Sequence, residues 1–211
     1  MATLALKAEK KLLRKAMGVK LRDLSASYIQ DQSRALTARV LSLPSFIQSK
    51  SVSCYLSMPS GEIDTSFLVR EILRSGKTLF VPKIDTTTEG RMELLQIYSE
   101  DDLNSLPSGV WGIKEPDRVH NGQPRTSAND TGLDLILVPG LAFDRTLLRL
   151  GHGKGYYDRF ITAYAENSRP PPLLVGLALR EQILDANAIP TAAHDWKMDS
   201  VITDQESIQG R

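Results

Sequence analysis

Four consecutive aliphatic residues, Leu135-Ile136-Leu137-Val138, constrain the fold more than any other feature of this sequence. A strand with one face in water alternates apolar and polar residues, whereas a strand covered on both faces is apolar throughout. We therefore expect residues 134–138 to form an inner strand of a sheet with helices on both faces. Such a sheet is typically parallel, because the connections between parallel strands place helices over it.

Two helices are predicted before the first strand. The apolar residues of the first helix, over residues 3–24, recur at helical spacing, and basic residues occupy much of the remaining surface. Ser25 is a suitable N-cap for a second helix, which Pro44 is expected to end. The two segments predict an N-terminal helical hairpin. Their apolar residues are Leu6, Leu13, Met17, Leu21 and Leu24 in the first helix and Ile29, Leu36, Val40 and Leu43 in the second.

Strand-like and helical segments then alternate to the end of the sequence. Asp64 is expected to cap a helix that stops at Gly76, Pro82 to end a strand, and residues 156–165 to form a further helix. Residues 114–132, rich in Pro, Gly and small polar residues, predict one long surface loop. The strands are expected at residues 52–56, 78–81, 92–97, 134–138, 173–179 and 200–203.

This alternation predicts an α/β fold: a single layered domain over residues 1–211, with a mostly parallel sheet flanked by helices and the N-terminal helical hairpin. In sheets of this kind, ligands bind beyond the carboxyl ends of the strands. The loops that follow residues 56, 81 and 138 are therefore the expected location of the chemistry.

Charge and cysteine content exclude several classes of function. The 26 Lys and Arg residues offset 25 Asp and Glu, and a net charge of +1 gives no basis for general binding to nucleic acid or to a membrane surface. Cys54 is the only cysteine, so an intrachain disulfide and a multi-cysteine metal site are excluded. No apolar run reaches the length of a membrane span. We expect a cytoplasmic monomer, and the basic, amphipathic N-terminus leaves a mitochondrial pool open.

Residues 149–158, Arg-Leu-Gly-His-Gly-Lys-Gly-Tyr-Tyr-Asp, are the most informative stretch for function and are termed the glycine-rich segment below. Its alternating glycines precede a predicted helix and allow the backbone to approach a ligand closely. Backbone N–H groups, the helix N-terminus, Arg149 and Lys154 together favour an anion such as phosphate. The spacing is neither that of a P-loop nor that of a dinucleotide fingerprint. The alternative is a turn with a solvated lysine.

The glycine-rich segment resembles the ATP-phosphate loop of the 5-formyltetrahydrofolate cyclo-ligase family. Upstream, residues 138–144, Val-Pro-Gly-Leu-Ala-Phe-Asp, are similar to the strand end that precedes this loop in the family. The resemblance covers residues 10–201 and implies an α/β sheet with flanking helices. Family members usually carry a turn glycine shortly before Arg-Leu-Gly, and this chain has Thr146-Leu147-Leu148 there instead.

The resemblance implies an ATP site built from two distant segments. Lys10 and Arg14 lie four residues apart, so one helix face can present both to the same polyphosphate. The alternative for these residues is a solvated basic face. Lys154, Arg149 and Arg14 are the cations implied in catalysis. The implied ATP-binding residues are Lys10, Lys11, Arg14, Arg149, Leu150, Gly151, His152, Gly153, Lys154, Gly155, Tyr156 and Tyr157.

The resemblance also implies a folate pocket. The carboxylate of Glu62 would accept hydrogen bonds from the pterin ring, and the ring of Trp111 would stack on a planar heterocycle. The alternatives are an acid at a helix entry for Glu62 and a tryptophan packed over the core for Trp111. The implied substrate-binding residues are Leu56, Met58, Glu62, Trp111 and Tyr157.

Asp158 and Asp195 are the implied magnesium ligands, since Mg²⁺ takes one or two carboxylates together with phosphate oxygens. The alternatives are an acid in the first turn of a helix for Asp158 and a turn residue for Asp195. His152 and His194 lack the spacing to a third ligand that a zinc site requires.

The implied reaction converts 5-formyltetrahydrofolate, with or without a polyglutamate tail, and ATP into 5,10-methenyltetrahydrofolate, ADP and phosphate. The γ-phosphoryl group moves to the formyl oxygen, N10 attacks the activated carbon, and phosphate leaves. Two other interpretations remain open. One is a phosphotransferase that acts on another small molecule. The other is a folate-binding module without turnover, which would lack Lys154, Arg14 or Asp158, although all three are present.

Overall fold

A central sheet organises the computed structural model of the protein, which describes residues 2–109, 112–167 and 170–210. The strands are β1 (Ser51–Cys54), β2 (Thr78–Ile84), β3 (Met92–Ile97), β4 (Val119–His120), β5 (Gln123–Pro124), β6 (Leu135–Val138), β7 (Ala142–Asp144), β8 (Arg149–Leu150), β9 (Leu173–Leu177), β10 (Ile183–Leu184), β11 (Ser200–Ile202) and β12 (Ser207–Gln209). Within the described ranges, seven of them form the central sheet in the order β12-β11-β9-β6-β1-β2-β3.

The inner strands of this sheet are parallel, and β12 and β3 are antiparallel at its two edges. β6 lies in the middle, where Leu135 pairs with Val52 of β1 on one side and with Leu173 of β9 on the other. All four residues of β6 are buried, so the predicted inner strand is confirmed. The predicted fold class, a mostly parallel sheet with flanking helices, is confirmed as well.

Helices cover the sheet and form the N-terminal part of the chain. Ser25 caps α2 by accepting a hydrogen bond from the Tyr28 N–H at 3.2 Å. α2 ends before Pro44, which instead occupies the first turn of a short additional helix. The helices are α1 (Ala2–Arg22), α2 (Ala26–Leu41), α3 (Pro44–Gln48), α4 (Ser66–Arg74), α5 (Glu100–Ser105), α6 (Ala128–Thr131) and α7 (Tyr156–Glu166).

The expectation that Pro82 ends a strand is wrong, because β2 continues past it. The Asp85 N–H donates to the Arg91 carbonyl oxygen at 3.0 Å, and hydrogen-bonded pairs alternate along an antiparallel ladder. Pro82, opposite Leu94, therefore falls at a pair that exchanges no hydrogen bonds with β3. Its nitrogen faces β1, whose pairing with β2 extends only to Phe80. The missing N–H of proline thus removes no ladder bond.

Residues 114–132 do not form one unstructured loop, because they contain the β4–β5 hairpin and α6. Arg125 fixes this segment through a buried bidentate pair with Asp102 of α5, at 2.7 and 2.6 Å. The composition of the segment does not reveal this pair, since its two partners lie far apart in the sequence.

Asp64, which was expected to cap α4, does not occupy the N-cap position. Its carboxylate accepts the Ser66 N–H at 2.8 Å, while Thr65 occupies the N-cap position of α4.

The turn between β7 and β8 contains a left-handed residue other than glycine. Leu147 adopts a φ of +67°. The carboxylate of Asp144 supports the turn by accepting the N–H groups of Thr146 at 2.9 Å and Leu148 at 3.2 Å. The turn therefore forms with a leucine in a backbone conformation that branched side chains rarely adopt.

Candidate active site

A cavity of about 1010 Å³ opens at the carboxyl ends of three neighbouring strands, β1, β2 and β6. Tyr55 and Leu56 follow β1, Pro139 follows β6, and Pro82 and Ile84 belong to the end of β2. This is the edge of a parallel sheet at which ligands are expected. The α1 helix and the glycine-rich segment complete its lining.

The glycine-rich segment forms one side of this cavity and contacts α1 directly. Gly155 is the N-cap of α7 and has a φ of +69°, which turns the chain into the helix. The Arg14 Nε donates to the Gly151 carbonyl oxygen at 2.9 Å. Lys154 is exposed and forms no hydrogen bond or ion pair with the described residues. The segment therefore presents backbone N–H groups, a helix N-terminus and cations to the cavity.

Arg149 lies beneath this segment with only 5% of its side chain exposed. Its Nη2 donates to Asp158 Oδ2 at 2.7 Å, and its guanidinium lies 5.7 Å from the centre of the Tyr157 ring. A buried charge is tolerated when such a partner compensates it. Within the described chain, the Arg149 Nε and the Tyr157 hydroxyl are buried without a hydrogen-bond partner.

Two carboxylates face this group of cations. Asp195 Oδ2 accepts hydrogen bonds from Lys10 Nζ at 2.5 Å and from the Ala192 N–H at 2.6 Å. Burial opposes ionisation of Asp195, but these bonds outweigh it and hold its pKa below the usual range. Asp158 Oδ1 accepts the N–H of Trp196, the residue after Asp195, at 3.1 Å. The two carboxylates therefore approach the cavity from adjoining positions.

Metal ligands are sparse in this arrangement. The described residues contain no group of three or more His, Cys, Asp or Glu side chains that could hold a metal ion. Mg²⁺ does not require such a group, because phosphate oxygens and water supply most of its ligands in nucleotide sites.

Glu62 is another buried ionisable group in the lining of the cavity. Its Oε1 accepts the Met58 N–H at 2.6 Å. Burial raises the pKa of Glu62 to about 7, although the hydrogen bond from Met58 acts in the other direction. Leu56 and Met58 line the cavity beside it. Leu56, Met58 and Glu62 thus combine apolar surface with a buried acid whose pKa is raised.

The structure brings the predicted site residues together around this single cavity. Trp111, assigned to substrate binding from the resemblance, lies outside the described residues. The roles of the others remain predictions, whereas their common location is observed. The predicted residues that line the cavity are Lys10, Lys11, Arg14, Leu56, Met58, Glu62, Arg149, Leu150, Gly151, His152, Gly153, Lys154, Gly155, Tyr156, Tyr157, Asp158 and Asp195.

The lining also contains residues that were not anticipated, among them Ile84, Met92 and Arg159. Ile84 was missed because the strand was expected to stop at Pro82. Met92 begins a predicted strand, and only the pairing of β3 with β2 places it at the cavity. Arg159 follows Asp158 on a helix, where a basic residue is ordinarily interpreted as solvated.

Comparison with known proteins bears directly on this site. The sequence profile of the 5-formyltetrahydrofolate cyclo-ligase family matches residues 6–204. The chain belongs to this family. The match includes both the basic residues of α1 and the glycine-rich segment, and it confirms the family resemblance deduced from the motifs.

Individual members of the 5-formyltetrahydrofolate cyclo-ligase family align along almost their whole length. A protein of Caenorhabditis elegans named probable 5-formyltetrahydrofolate cyclo-ligase is 39% identical, over 97% of this chain and 97% of its own. A protein of Schizosaccharomyces pombe with the same name is 37% identical, over 95% of this chain and 98% of its own. The prediction of an enzyme of this family is therefore confirmed.

The fold is shared with a solved member of the family. The NMR structure of Aquifex aeolicus 5,10-methenyltetrahydrofolate synthetase superimposes with a TM-score of 0.75 at 33% identity, covering 96% of this chain and 94% of that one. None of the helices in the described ranges is long and apolar enough to cross a membrane.

Proposed function

We propose that this protein uses ATP and Mg²⁺ to convert 5-formyltetrahydrofolate to 5,10-methenyltetrahydrofolate, with release of ADP and phosphate. One observation carries the proposal: the glycine-rich segment, the basic residues of α1 and the buried acid Glu62 line a single cavity. Family membership supplies the reaction, because the relatives are named for the cyclo-ligase and the methenyltetrahydrofolate synthetase. The seven strands of the central sheet are spread along the chain, from β1 near residue 51 to β12 near residue 209. Residues 1–211 are therefore proposed to act as one domain.

The chemistry requires activation of a poor leaving group. The oxygen of an N-formyl group leaves poorly, whereas a phosphoryl group on that oxygen allows it to leave as phosphate. The protein needs no covalent nucleophile for this step. It must align the formyl oxygen with the γ-phosphorus and stabilise the charge that develops on the transferred group.

The cations on one side of the cavity are suited to this task. Lys154 is exposed and unpaired within the described chain, so it is available to a phosphate without breaking another contact. Arg14 is held against the glycine-rich segment by the Gly151 carbonyl, and Arg149 is fixed by Asp158. Because these positive charges are already oriented, the protein does not have to rearrange them during the reaction. Lys10 and Lys11 extend the same charge along α1.

The opposite side of the cavity is suited to the folate. Leu56, Met58 and Ile84 provide apolar surface for a planar ring, and Glu62 provides an acceptor at a buried position. A carboxylate can accept hydrogen bonds from adjacent ring N–H groups, and bonds to a charged acceptor are strong. The two substrates would then meet between Glu62 and the glycine-rich segment.

Asp158 and Asp195 are proposed as the carboxylates that hold Mg²⁺. They fit this role because both line the cavity beside the glycine-rich segment, and carboxylate oxygen is the donor that Mg²⁺ prefers. When bound, the ion would neutralise part of the negative charge on the phosphates. Asp195 Oδ2 is paired with Lys10 and Asp158 Oδ2 with Arg149, so these cations compete with a metal for the same oxygens.

A single assay tests the proposal against its alternatives. The purified protein is incubated with 5-formyltetrahydrofolate, ATP and Mg²⁺, and both phosphate release and formation of the methenyl product are followed. Equal amounts of phosphate and methenyl product, both dependent on ATP and lost with a chelator, are expected. Phosphate transfer to a different acceptor, with no methenyl product, would indicate a phosphotransferase. Folate binding without turnover would indicate a binding module, and either result would refute the proposal.

A further inference from the structure

Arg159 connects the glycine-rich segment to the turn between β2 and β3, residues 85–91. It is the fourth residue of α7, and its N–H donates to the Gly155 carbonyl oxygen at 3.0 Å. Its Nη1 donates to the Glu89 carbonyl oxygen at 3.2 Å. Glu89 is 70 residues away in the sequence, so this bond is a long-range contact between α7 and the turn.

Gly90 makes this contact possible. A Cβ atom at Gly90 would overlap Nη1 and Cζ of Arg159, so the guanidinium occupies the space that a side chain would take. Gly90 also has a φ of +75°, which favours glycine. The guanidinium therefore lies against bare backbone, and the fit depends on a glycine at this one position of the turn.

The turn held by Arg159 supports part of the cavity lining. Ile84 and Met92 are paired at the two ends of the turn, and both line the cavity. The other end of the Arg159 contact is the start of α7, where Gly155 and Tyr156 line the same cavity. The Arg159 side chain thus adds a polar link between two parts of one lining, beside the apolar packing of α7 against β3.

Arg159 differs from the other arginines near this turn. Arg118 lies 3.0 Å from Glu93 and 3.5 Å from Asp85, and Arg91 lies within 4 Å of the same two acids. Within the described part of the chain, Arg159 has no carboxylate partner, and its side chain bonds only to a backbone carbonyl. A charge that stabilised the fold through ion pairing would be expected beside an acid. Its position instead favours a geometric role.

We propose that Arg159 is a positioning residue that fixes the 85–91 turn against α7 and so sets the separation between the glycine-rich segment and the apolar residues Ile84 and Met92. This inference rests on the proposed function, which assigns ATP to the glycine-rich segment and folate to the apolar part of the lining that includes Ile84. A displacement of about 1 Å between reacting groups can cost about 10²-fold in rate, so this separation matters for catalysis.

Three variants test the proposal: Arg159→Gln, Arg159→Lys and, as a matched control in the same turn, Arg91→Gln. Arg159→Gln should raise KM for the folate about 10-fold or more and lower kcat, while KM for ATP stays within about twofold. Arg159→Lys retains a donor that can reach the Glu89 carbonyl and should recover part of the loss. Arg91→Gln should resemble the wild type.

Gly90→Ala provides an independent arm, because its effect should depend on Arg159. In the wild type it displaces the guanidinium and should reproduce the kinetic change of Arg159→Gln. In the Arg159→Gln background it should add little beyond the strain of the left-handed alanine, so the two effects are not additive. Additive effects on folate KM would show that Gly90 and Arg159 act separately, and would overturn the proposal.

Hydrogen exchange of the amides in residues 86–90 separates this inference from the proposed function. Exchange should be faster in Arg159→Gln than in Arg91→Gln, whether or not the protein turns over folate. An inactive wild type with this exchange pattern refutes the proposed function but preserves the contact. Exchange equal to that of Arg91→Gln, or a rise in KM for ATP in place of KM for folate, overturns the positioning role.

Discussion

Lys10 Nζ lies 2.5 Å from Asp195 Oδ2, although 185 residues separate the two in the sequence. Both side chains are largely buried, with 12% and 15% exposed, and both line the cavity. Under the proposed function, Lys10 binds the phosphates of ATP and Asp195 binds Mg²⁺. The ligand-free protein therefore pairs a nucleotide-binding cation with a metal-binding anion, and each ligand competes with this pair.

The Asp195→Asn variant should bind ATP more tightly than the wild type when Mg²⁺ is absent. Removal of the carboxylate releases Lys10 for the phosphates, and a gain of roughly threefold or more is expected from one charge-assisted contact. In the presence of Mg²⁺ the same variant should bind ATP more weakly, because one metal ligand is lost. Calorimetric titration of ATP, with chelator and with excess Mg²⁺, measures both changes.

Asp185→Asn provides the control for this titration, since Asp185 is exposed and lies outside the cavity lining. It should leave both affinities unchanged. If Asp195→Asn also leaves ATP affinity without Mg²⁺ unchanged, Lys10 does not reach the phosphates. An unaltered effect of Mg²⁺ would remove Asp195 from the metal site.

Lys154→Ala should reduce kcat about 10²-fold while the fold stays intact. A preorganised charge aimed at a transferring phosphoryl group contributes several kcal/mol to the transition state. Because Lys154 is exposed and unpaired within the described chain, its truncation breaks no hydrogen bond or ion pair with the described residues. Steady-state kinetics and the thermal midpoint are measured together. Lys197→Ala, at an exposed position outside the lining, is the control, and a kcat near that of the control would exclude Lys154 from catalysis.

The parts of this protein that the sequence predicts well are those set by local pattern. The aliphatic run of β6 and the glycine-rich segment each contain their own signal, because strand burial and helix entry depend on neighbouring residues. The prediction that Pro82 ends a strand was wrong, because whether a proline interrupts a strand depends on which neighbouring strand its nitrogen faces. The pairs of Lys10 with Asp195 and of Arg159 with Glu89 depend on the folded chain, and no spacing in the sequence indicates them.

The buried carboxyl of Glu62 should make stability depend on pH. The unfolded chain ionises near the ordinary value of 4.5, whereas burial keeps the proton on folded Glu62 until about pH 7. The folded state therefore binds more protons between these values, and the free energy of unfolding falls as pH rises through them and then levels off. The loss is roughly 3 kcal/mol at most. The Glu62→Gln variant should not show this loss, and its free energy of unfolding at pH 8 should exceed that of the wild type.

Folate binding should become stronger as pH rises, because the ionised carboxylate of Glu62 is the stronger acceptor for ring N–H groups. KM for 5-formyltetrahydrofolate should rise in the wild type as pH falls below about 7, and in Glu62→Gln it should be high and nearly independent of pH. Urea unfolding and initial rates over pH 5 to 8 measure the two effects. Glu9→Gln, at an exposed position on α1, is the control. Parallel stability profiles for Glu62→Gln and the wild type would contradict the raised pKa.

At position 147, the usual order of stability of the alanine and glycine variants should be reversed. At ordinary backbone positions, alanine is more stable than glycine by roughly 0.5–1 kcal/mol, because glycine loses more entropy on folding. Leu147 has a φ of +67° and is 8% exposed, so both substitutions lose the same packing, but only glycine relieves the strain. Leu147→Gly should therefore be more stable than Leu147→Ala, by about 1 kcal/mol.

Leu148 provides the matched control for this comparison, because it is equally buried, at 8% exposed, and is absent from the left-handed positions of the described chain. There, Leu148→Ala should be more stable than Leu148→Gly. Urea denaturation of the four variants gives both differences from their midpoints at a common slope. If alanine exceeds glycine at both positions, Leu147 does not adopt the left-handed conformation in solution.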